Sequence, residues 1–336
     1  MRAAIYGAGA IGTVLGAYIT GAGGKIELIS RNKAHIDALK NHGARIVGTA
    51  ELTVPVTALT PDEMSGKYDI IFLVTKQLDN AAVVRGLAAY LSEDGVICTL
   101  QNGLPELSVA EIIGADRTYG CAIAWGASLI EPGVCELTSE PTALTFGLGA
   151  LNGGKNTKTE QIAALLGLMG RVETEKNFIG ARWAKLLVNS AFSGLSAVFG
   201  ETFGEVASDG RSRLIAQKLI KECIDVAAKA GIKIEPIQGK DAVKLLDYKN
   251  PIKQKISFCV IPLAIKKHKN LRASMLQDLE RGKKCEVDAI NGAVSEYGKR
   301  YGCPTPYNDK VVEIIKGIEA GKYKPSRENL ALFDLR

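Results

Sequence analysis

A lysine in the second half of the chain is well suited to act as an acid. Lys185 lies in a mostly apolar stretch, Ala181 to Val198, whose pattern predicts a continuous helix. Lys185, Asn189 and Ser193 fall at i, i+4 and i+8, so such a helix would carry all three on one face. A partly desolvated lysine has a lowered pKa and can donate a proton near neutrality. From the helix alone, a surface lysine whose stem packs on apolar neighbours is equally consistent.

A second site is predicted at the start of the chain. Gly7-Ala8-Gly9-Ala10-Ile11-Gly12 is a GxGxxG pattern between the strand-like run Ala3 to Tyr6 and an apolar helix-like stretch. The first glycine permits a tight turn, the second lets the backbone approach a pyrophosphate, and the third lets helix and strand pack closely. The helix N-terminus adds free N–H groups and a favourable dipole. The pattern predicts a dinucleotide site, with a glycine-rich turn that binds nothing as the alternative.

The residues after the second predicted strand distinguish between the two nicotinamide cofactors. An NAD(H) site usually places Asp or Glu there to bind the ribose 2′-hydroxyl. This chain instead reads Leu28-Ile29-Ser30-Arg31-Asn32-Lys33, without an acid. Arg31 can pair with a 2′-phosphate through two N–H groups, and Lys33 is close in sequence. We therefore expect NADP(H), the alternative being that Arg31 is only a surface residue.

The other usual proton donors fit less well. Hydride delivery to a carbonyl builds negative charge on oxygen and requires an acid nearby. His35 and His42 follow the second strand, near the expected adenosine end of the cofactor, and His268 lies in a lysine cluster. No tyrosine is followed by a lysine four positions on, so the Tyr-x-x-x-Lys pair of short-chain dehydrogenases is absent. Glu286 is a second polar candidate, although a solvated helix residue is the commoner role for a glutamate.

The first half of the chain alternates strands and helices, which predicts a Rossmann-type α/β domain with a parallel sheet. The predicted strands are Ala3 to Tyr6, Ile26 to Ile29, Ile70 to Val74, Val96 to Leu100 and Tyr119 to Trp125. Gly133 to Leu137 and Thr142 to Phe146 are expected to form an edge, with a short strand near Val172. Predicted helices are Ile11 to Thr20, Asn80 to Leu91 and Glu160 to Leu168, and Leu151 to Thr159 is a predicted loop.

The second half lacks strand signals and predicts an all-α domain. We place the boundary near Lys176-Asn177, giving an NADP-binding Rossmann domain over 1–176 and a helical substrate and catalytic domain over 177–336. Besides Ala181 to Val198, the predicted helices are Ser212 to Lys229, Ala273 to Arg300 and Asn308 to Ala320.

Composition is that of a globular protein of ordinary type. Of the 336 residues, 46% are hydrophobic and 23% charged. The net charge is +6, and much of the basic excess lies between Lys253 and Lys284. That excess is either a solvated helix face or a mild field that favours anionic ligands. No nucleic-acid-binding motif accompanies it, so no nucleic acid partner is expected.

The cysteines and the N-terminus indicate a cytoplasmic protein without metal or membrane partner. The seven cysteines are scattered, without a CxxC pair or a Cys/His cluster, so no metal site is expected. No apolar run reaches the length of a membrane span, and Met1-Arg2 leads straight into a strand rather than a signal peptide. A reducing cytoplasm fits both observations.

Six segments together resemble the ketopantoate reductase (2-dehydropantoate 2-reductase) family, over nearly the whole chain and in the family's order. They are Gly7-Ala8-Gly9-Ala10-Ile11-Gly12, Val74-Thr75-Lys76, Gln101-Asn102-Gly103, the Lys185–Asn189 helix, Ser274-Met275-Leu276-Gln277-Asp278 and Glu286-Val287-Asp288-Ala289-Ile290-Asn291-Gly292. The last three are more specific than the glycine fingerprint. The resemblance implies NADPH-dependent reduction of the 2-keto group of ketopantoate to give pantoate, in pantothenate biosynthesis.

By this resemblance, Lys185 is the proton donor, and Glu286 helps to hold both the reacting hydroxyl group and the lysine. The residues expected to bind substrate are Asn102, Asn189, Ser193 and Ser274. Those expected to bind cofactor are Gly7, Ala8, Gly9, Ala10, Ile11, Gly12, Arg31, Lys76, Asn102 and Glu286. A homodimer is compatible with the sequence.

Two departures from the family pattern leave the substrate open. Many members have an Asn-Pro pair where this chain has Ser193-Gly194, and asparagine reaches further than serine with both a donor and an acceptor. The stretch Pro236 to Leu271 also looks longer than usual. A different 2-keto acid, or another substrate of the wider dehydrogenase group, is therefore an alternative. A non-catalytic NADP(H)-binding redox sensor is a third, which would not require Lys185 and Glu286 together.

Overall fold

The computed structural model describes residues 1–153, 156–237 and 239–333. The chain divides into two compact units, the first made of Met1–Gln101 and Pro105–Phe178 and the second of Asn102–Leu104 and Ile179–Arg336. The first unit is α/β with a mostly parallel sheet, and the second is built from helices. The predicted fold class is therefore confirmed.

The first unit contains twelve strands and five α-helices among the described residues. The strands are β1 (Ala3–Tyr6), β2 (Glu27–Ile29), β3 (Ala44–Gly48), β4 (Leu52–Val54), β5 (Thr57–Leu59), β6 (Tyr68–Leu73), β7 (Leu91–Thr99), β8 (Thr118–Ile123), β9 (Ala127–Glu131), β10 (Val134–Leu137), β11 (Thr145–Ala150) and β12 (Arg171–Thr174). The helices are α1 (Ala10–Gly21), α2 (Lys33–His42), α3 (Asn80–Ala88), α4 (Pro105–Ile113) and α5 (Thr157–Gly167), with 3-10 turns at Pro61–Glu63, Ala115–Arg117 and Pro141–Ala143.

Eight strands form one sheet in the order β12-β11-β8-β7-β6-β1-β2-β5, in which only β8 and β11 pair antiparallel. Successive residues of the central strands pack into apolar clusters on opposite faces of the sheet. In β1, for example, Ile5 belongs to one cluster and Ala4 to the other. A strand buried on both faces needs apolar residues throughout, which explains the continuous apolar runs of β1 and β6. From β1 the sheet continues to β2 on one side and to β6 on the other, so the strand order reverses there.

The position expected for Gly133 to Leu137 is wrong. β10 does not form an edge of the large sheet but lies in a second sheet of order β4-β3-β10-β9. Cys135 and Leu137 are fully buried while Val134 and Glu136 are not, which is the alternation of a strand covered on one face only. That face packs against α1. The other expected edge strand is present in the large sheet as β11, but it lies between β12 and β8, so the edge at that end is β12.

A buried histidine links α1 to α2 and to the turn before β10. His35 is 1% exposed, and its Nδ1 accepts a hydrogen bond from the Gly133 N–H at 3.0 Å. Its Nε2 lies 2.9 Å from the Thr13 hydroxyl oxygen, on the second turn of α1. Because Nδ1 accepts, the proton of the neutral ring belongs on Nε2. Burial lowers the pKa of His35.

We expect this histidine to make stability depend on pH. A lowered pKa in the folded state means that folding favours the neutral ring. The contribution of His35 to the free energy of unfolding is therefore complete above the pKa of the unfolded state, about 6.5, and declines as the pH falls below that value. The melting temperature should therefore fall between pH 7.5 and pH 5.5 by more in the wild type than in His35→Gln. Thermal unfolding followed by circular dichroism measures both. His268→Gln, at an exposed site, is the control, and its melting temperature should change with pH as that of the wild type does. The same change with pH in His35→Gln as in the wild type would contradict the role of His35.

The second unit contains nine α-helices among its described residues. They are α6 (Phe178–Val188), α7 (Gly194–Phe199), α8 (Phe203–Ser208), α9 (Gly210–Lys229), α10 (Ala242–Leu246), α11 (Pro251–Ile265), α12 (Ser274–Glu280), α13 (Val287–Tyr301) and α14 (Pro306–Glu319), with 3-10 turns at Lys266–His268 and Arg327–Leu332. A π-helical turn, Asn189–Ser193, joins α6 to α7. Across the described ranges, no helix is long and apolar enough to cross a bilayer.

Three further predicted elements differ from the structure by more than their end residues. The helix over Ala181 to Val198 is interrupted by the π turn. The helix over Ala273 to Arg300 is two helices, because Gly282 adopts a left-handed φ of 65° after α12. The loop over Leu151 to Thr159 ends early, since α5 begins at Thr157; its residues Gly154 and Lys155 lie outside the described residues.

Candidate active site

The glycine loop after β1 requires a glycine at its first position. Gly7 has a φ of 106°, and a Cβ there would lie 2.5 Å from the backbone nitrogen of Thr75. The N–H groups of Gly7 and Ala8 both donate to the carbonyl of Ile29, each at 2.9 Å. The positive φ and the nearby Thr75 backbone exclude a side chain at this position. Without one, the loop can lie close to the ends of both β2 and β6.

The next two glycines of the loop differ in their surroundings. A Cβ on Gly9 would have no atom within 4 Å, whereas one on Gly12 would lie 2.6 Å from the Gly7 carbonyl oxygen. Gly12 thus allows close packing of α1, and Gly9 borders open space. No side chain caps α1, and its first turn has no acidic residue. Uncapped N–H groups beside open space at a helix N-terminus suit a pyrophosphate, so the loop fits a dinucleotide.

The residues next to this loop lie at the carboxyl ends of β1, β6 and β7. Ligands of open α/β sheets bind at that edge, where the strand order reverses. Gln101 is 4% exposed and donates from Nε2 to the Thr75 carbonyl at 2.7 Å and to Asn80 Oδ1 at 2.8 Å. It joins the end of β7 to the loop after β6, which carries Lys76. Sequence pattern alone predicted no role for Gln101, which stands beside Asn102 in Gln101-Asn102-Gly103.

Arg31 lies in the turn between β2 and α2 and is exposed. Burial raises the pKa of Tyr6, and the positive charge of Arg31 opposes that shift, so the guanidinium lies near the end of β1. Asn32 caps α2 by accepting from the His35 N–H at 3.2 Å, and Lys33 is the first residue of that helix. The cap holds this turn in place and leaves the Arg31 side chain directed to solvent.

In the helical unit, Lys185 is half-buried on α6. Its neighbours Ala184 and Leu186 are 5% and 1% exposed, and Trp183 is fully buried. Lys185 is therefore not a fully solvated surface lysine.

The π turn changes how Lys185, Asn189 and Ser193 relate. A π-helix has i→i+5 bonds and turns less per residue than an α-helix, so Ser193 does not lie where a continuous helix would put it. Asn189 remains half-buried like Lys185, whereas Ser193 is 8% exposed. The expectation of one shared face on a regular helix is wrong. Single-turn π segments occur frequently at functional sites.

The remaining predicted substrate residues also belong to the helical unit. Ser274 is the exposed first residue of α12, and Glu286, which is 9% exposed, immediately precedes α13. Both helices pack against the π turn and α7. Asn102 belongs to this unit, whose core includes the neighbouring Leu104. The fold therefore brings the segments with Asn189, Ser274 and Glu286 together within one unit, whereas the glycine loop, Arg31 and Lys76 belong to the other.

Two family models match the chain along most of its length. The ketopantoate reductase PanE/ApbA model matches residues 3–150, and the ketopantoate reductase PanE/ApbA C-terminal model matches residues 177–319. The chain belongs to the ketopantoate reductase family. As a member of this family, it is an oxidoreductase of the class that acts on a CH–OH group.

Comparisons with individual proteins agree with the family. A 2-dehydropantoate 2-reductase from Pyrococcus horikoshii is 30% identical over 322 residues, covering 95% of this chain and 98% of the relative. The structure of D-mandelate dehydrogenase with NADH and anilino(oxo)acetate matches with a TM-score of 0.81 and 23% identity, over 96% of this chain and 99% of that one. A dimeric ketopantoate reductase from Staphylococcus aureus matches with a TM-score of 0.73 and 18% identity, over 96% and 100%. These two structures support the fold of both units.

Proposed function

We propose that this protein reduces ketopantoate to pantoate with NADPH. The observation that carries the proposal is that a member of the ketopantoate reductase family holds Lys185 half-buried on α6. This helix leads directly into the π turn, which packs against α13, the helix that follows Glu286. The curated relative from Pyrococcus horikoshii, named for this reaction, supports the choice of substrate.

In this proposal the first unit binds the cofactor. The uncapped N-terminus of α1 and the open space at Gly9 receive the pyrophosphate, and Arg31 pairs with the 2′-phosphate. Lys76 adds positive charge after β6, and we propose that Asn102 and Glu286 of the helical unit also bind the cofactor. Bound NADPH supplies a hydride to the 2-keto carbon of the substrate.

The helical unit supplies the proton and orients the substrate. As the keto oxygen gains negative charge, the Lys185 ammonium group donates a proton to it and becomes a neutral amine. Glu286 accepts hydrogen bonds from the new hydroxyl group and from Lys185, which keeps the ammonium directed at the oxygen. The side chains that position the substrate carboxylate and hydroxyl groups are Asn102, Asn189, Ser193 and Ser274.

A second candidate function is reduction of a different 2-keto acid. It is favoured by Ser193-Gly194 in place of the usual Asn-Pro pair and by the structural likeness to a D-mandelate dehydrogenase. Serine has a shorter reach than asparagine, so the pocket would hold the far end of the substrate differently.

Oxidation of NADPH, followed at its near-ultraviolet absorbance, tests both candidates. The substrates would be ketopantoate, benzoylformate, pyruvate and 2-ketoisovalerate. We expect ketopantoate to have the highest kcat/KM. A higher value for another acid would replace the substrate and keep the mechanism, whereas tight NADPH binding without turnover of any acid would favour the redox sensor.

We also propose that two copies form a homodimer, as the Staphylococcus aureus structure does. Light scattering at micromolar concentration should then give about twice the monomer mass of 35.8 kDa. A mass equal to the monomer across the concentrations used for the assay would contradict this part of the proposal.

A further inference from the structure

A chain of buried polar groups runs through the helical unit and ends at the π turn. Glu222 of α9, which is 8% exposed, accepts from the N–H of Tyr307 at 2.8 Å and from the N–H of Asn308 at 3.0 Å. The Asn308 side-chain amide donates to the same carboxylate at 2.7 Å. The carboxylate thus caps the N-terminus of α14 and fixes the orientation of the Asn308 side chain.

The chain continues from Asn308 to the π turn through one residue of α13. Asn291 donates from Nδ2 to Asn308 Oδ1 at 2.9 Å and to the backbone carbonyl of Ser190 at 2.8 Å. Asn291, Asn308 and Ser190 are all fully buried. Because a buried carbonyl needs a partner, the Asn291 amide stabilises the path of the backbone through the π turn.

Gly194 makes room for this contact. A Cβ on Gly194 would lie 2.8 Å from Asn291 Oδ1 and 3.1 Å from Nδ2. The residue that replaces the usual proline of the family therefore lets the Asn291 amide approach the π turn. A methyl group there would push the amide away without removing it.

Asn291 also stands close in sequence to a proposed catalytic residue. It lies in the second turn of α13, the helix that Glu286 immediately precedes. The Asn291–Ser190 hydrogen bond therefore joins the π turn, which follows Lys185 and includes Asn189, directly to the helix that Glu286 precedes.

We propose that Asn291 is a positioning residue, which holds the π turn against α13 and so sets Lys185 relative to Glu286 for proton transfer. The proposal rests on the proposed function for the roles of those two residues. In this proposal, four buried residues support the active site without contacting substrate or cofactor. They are Glu222, Asn308, Asn291 and Gly194.

A matched control separates positioning from stability. Asn329 is 6% exposed and donates from Nδ2 to the carbonyls of Val198 and Lys324, each at 2.8 Å. It is thus a buried asparagine that donates to two carbonyls in the same unit, and neither of these two bonds reaches α13. Asn329→Ala should lower the melting temperature about as much as Asn291→Ala.

The experiment compares Asn291→Ala, Gly194→Ala, the double variant and Asn329→Ala. We expect each single change in the positioning group to lower kcat at least about tenfold and to shift the pH profile of kcat, while the Kd of NADPH changes less than about twofold. In the Asn291→Ala background, Gly194→Ala should have a smaller further effect, because the contact with the amide is gone and only the 3.1 Å approach to Val311 Cγ1 remains. Asn329→Ala should keep the wild-type kcat and pH profile.

A readout independent of turnover is the titration of Lys185, followed by NMR after reductive ¹³C-methylation and assigned with Lys185→Arg. The pKa of Lys185 should move in Asn291→Ala and in Gly194→Ala but not in Asn329→Ala. Wild-type kinetics and an unmoved Lys185 titration in the first two variants would overturn the positioning role. A wild-type enzyme that turns over no keto acid would overturn the proposed function instead. The titration would still show whether the pKa of Lys185 depends on Asn291 and Gly194.

Discussion

Replacing Lys185 by alanine should lower kcat by about 10²- to 10⁴-fold, the usual value of a positioned general acid. The keto oxygen would then take its proton from water, which does not sit in a fixed position beside it. Binding of NADPH should stay within about twofold of wild type, because the glycine loop and Arg31 belong to the other unit. Stopped-flow measurement of hydride transfer with saturating cofactor isolates the chemical step from product release.

Two further variants show whether the proton or only the charge matters. Lys185→Arg keeps a positive charge, but arginine does not release a proton near neutral pH, so this variant should remain slow. Lys218→Ala removes another half-buried lysine of the helical unit, on α9, and should leave kcat unchanged. Near-wild-type turnover in Lys185→Ala would show that another group donates the proton.

Replacing Arg31 by alanine should weaken NADPH by about 10- to 100-fold and NADH by less than about twofold. The loss corresponds to one or two charge-assisted hydrogen bonds to the 2′-phosphate, which NADH lacks. The difference between the two cofactors should shrink at high salt, because Arg31 is exposed and its charge is screened. Fluorescence titration of the reduced cofactors measures both dissociation constants.

Arg45→Ala is a matched control for the loss of one positive charge. Arg45 is an exposed arginine of the same unit, on β3 rather than at the end of β2. It should weaken both cofactors slightly and equally. An equal loss of NADPH and NADH affinity in Arg31→Ala would contradict the 2′-phosphate role and leave the cofactor preference to other residues.

The glycine loop shows how much of the cofactor site can be predicted from sequence. Gly7 and Gly12 each have a steric reason, the Thr75 backbone at Gly7 and the Gly7 carbonyl at Gly12, whereas Gly9 borders open space. Such local constraints recur wherever a strand enters a helix through this turn. Spacing and residue type therefore sufficed to predict the geometry of the loop.

The π turn shows where sequence pattern fails. Apolar spacing over Ala181 to Val198 fits a regular helix, and the extra residue of the turn is stabilised by Asn291, 101 positions away from Ser190. A window of neighbouring residues contains no sign of that contact. The break between α12 and α13, by contrast, had a local signal in Gly282, which follows a periodic stretch as helix-ending glycines do.

A crystal structure of the enzyme with NADP⁺ and pantoate bound tests the central claim most directly. The account predicts that the Lys185 Nζ lies within about 3.2 Å of the 2-hydroxyl oxygen, on the side away from the nicotinamide, with a Glu286 carboxylate oxygen bonded to both. A Lys185 ammonium group turned to solvent, with a different acid at that oxygen, would contradict it.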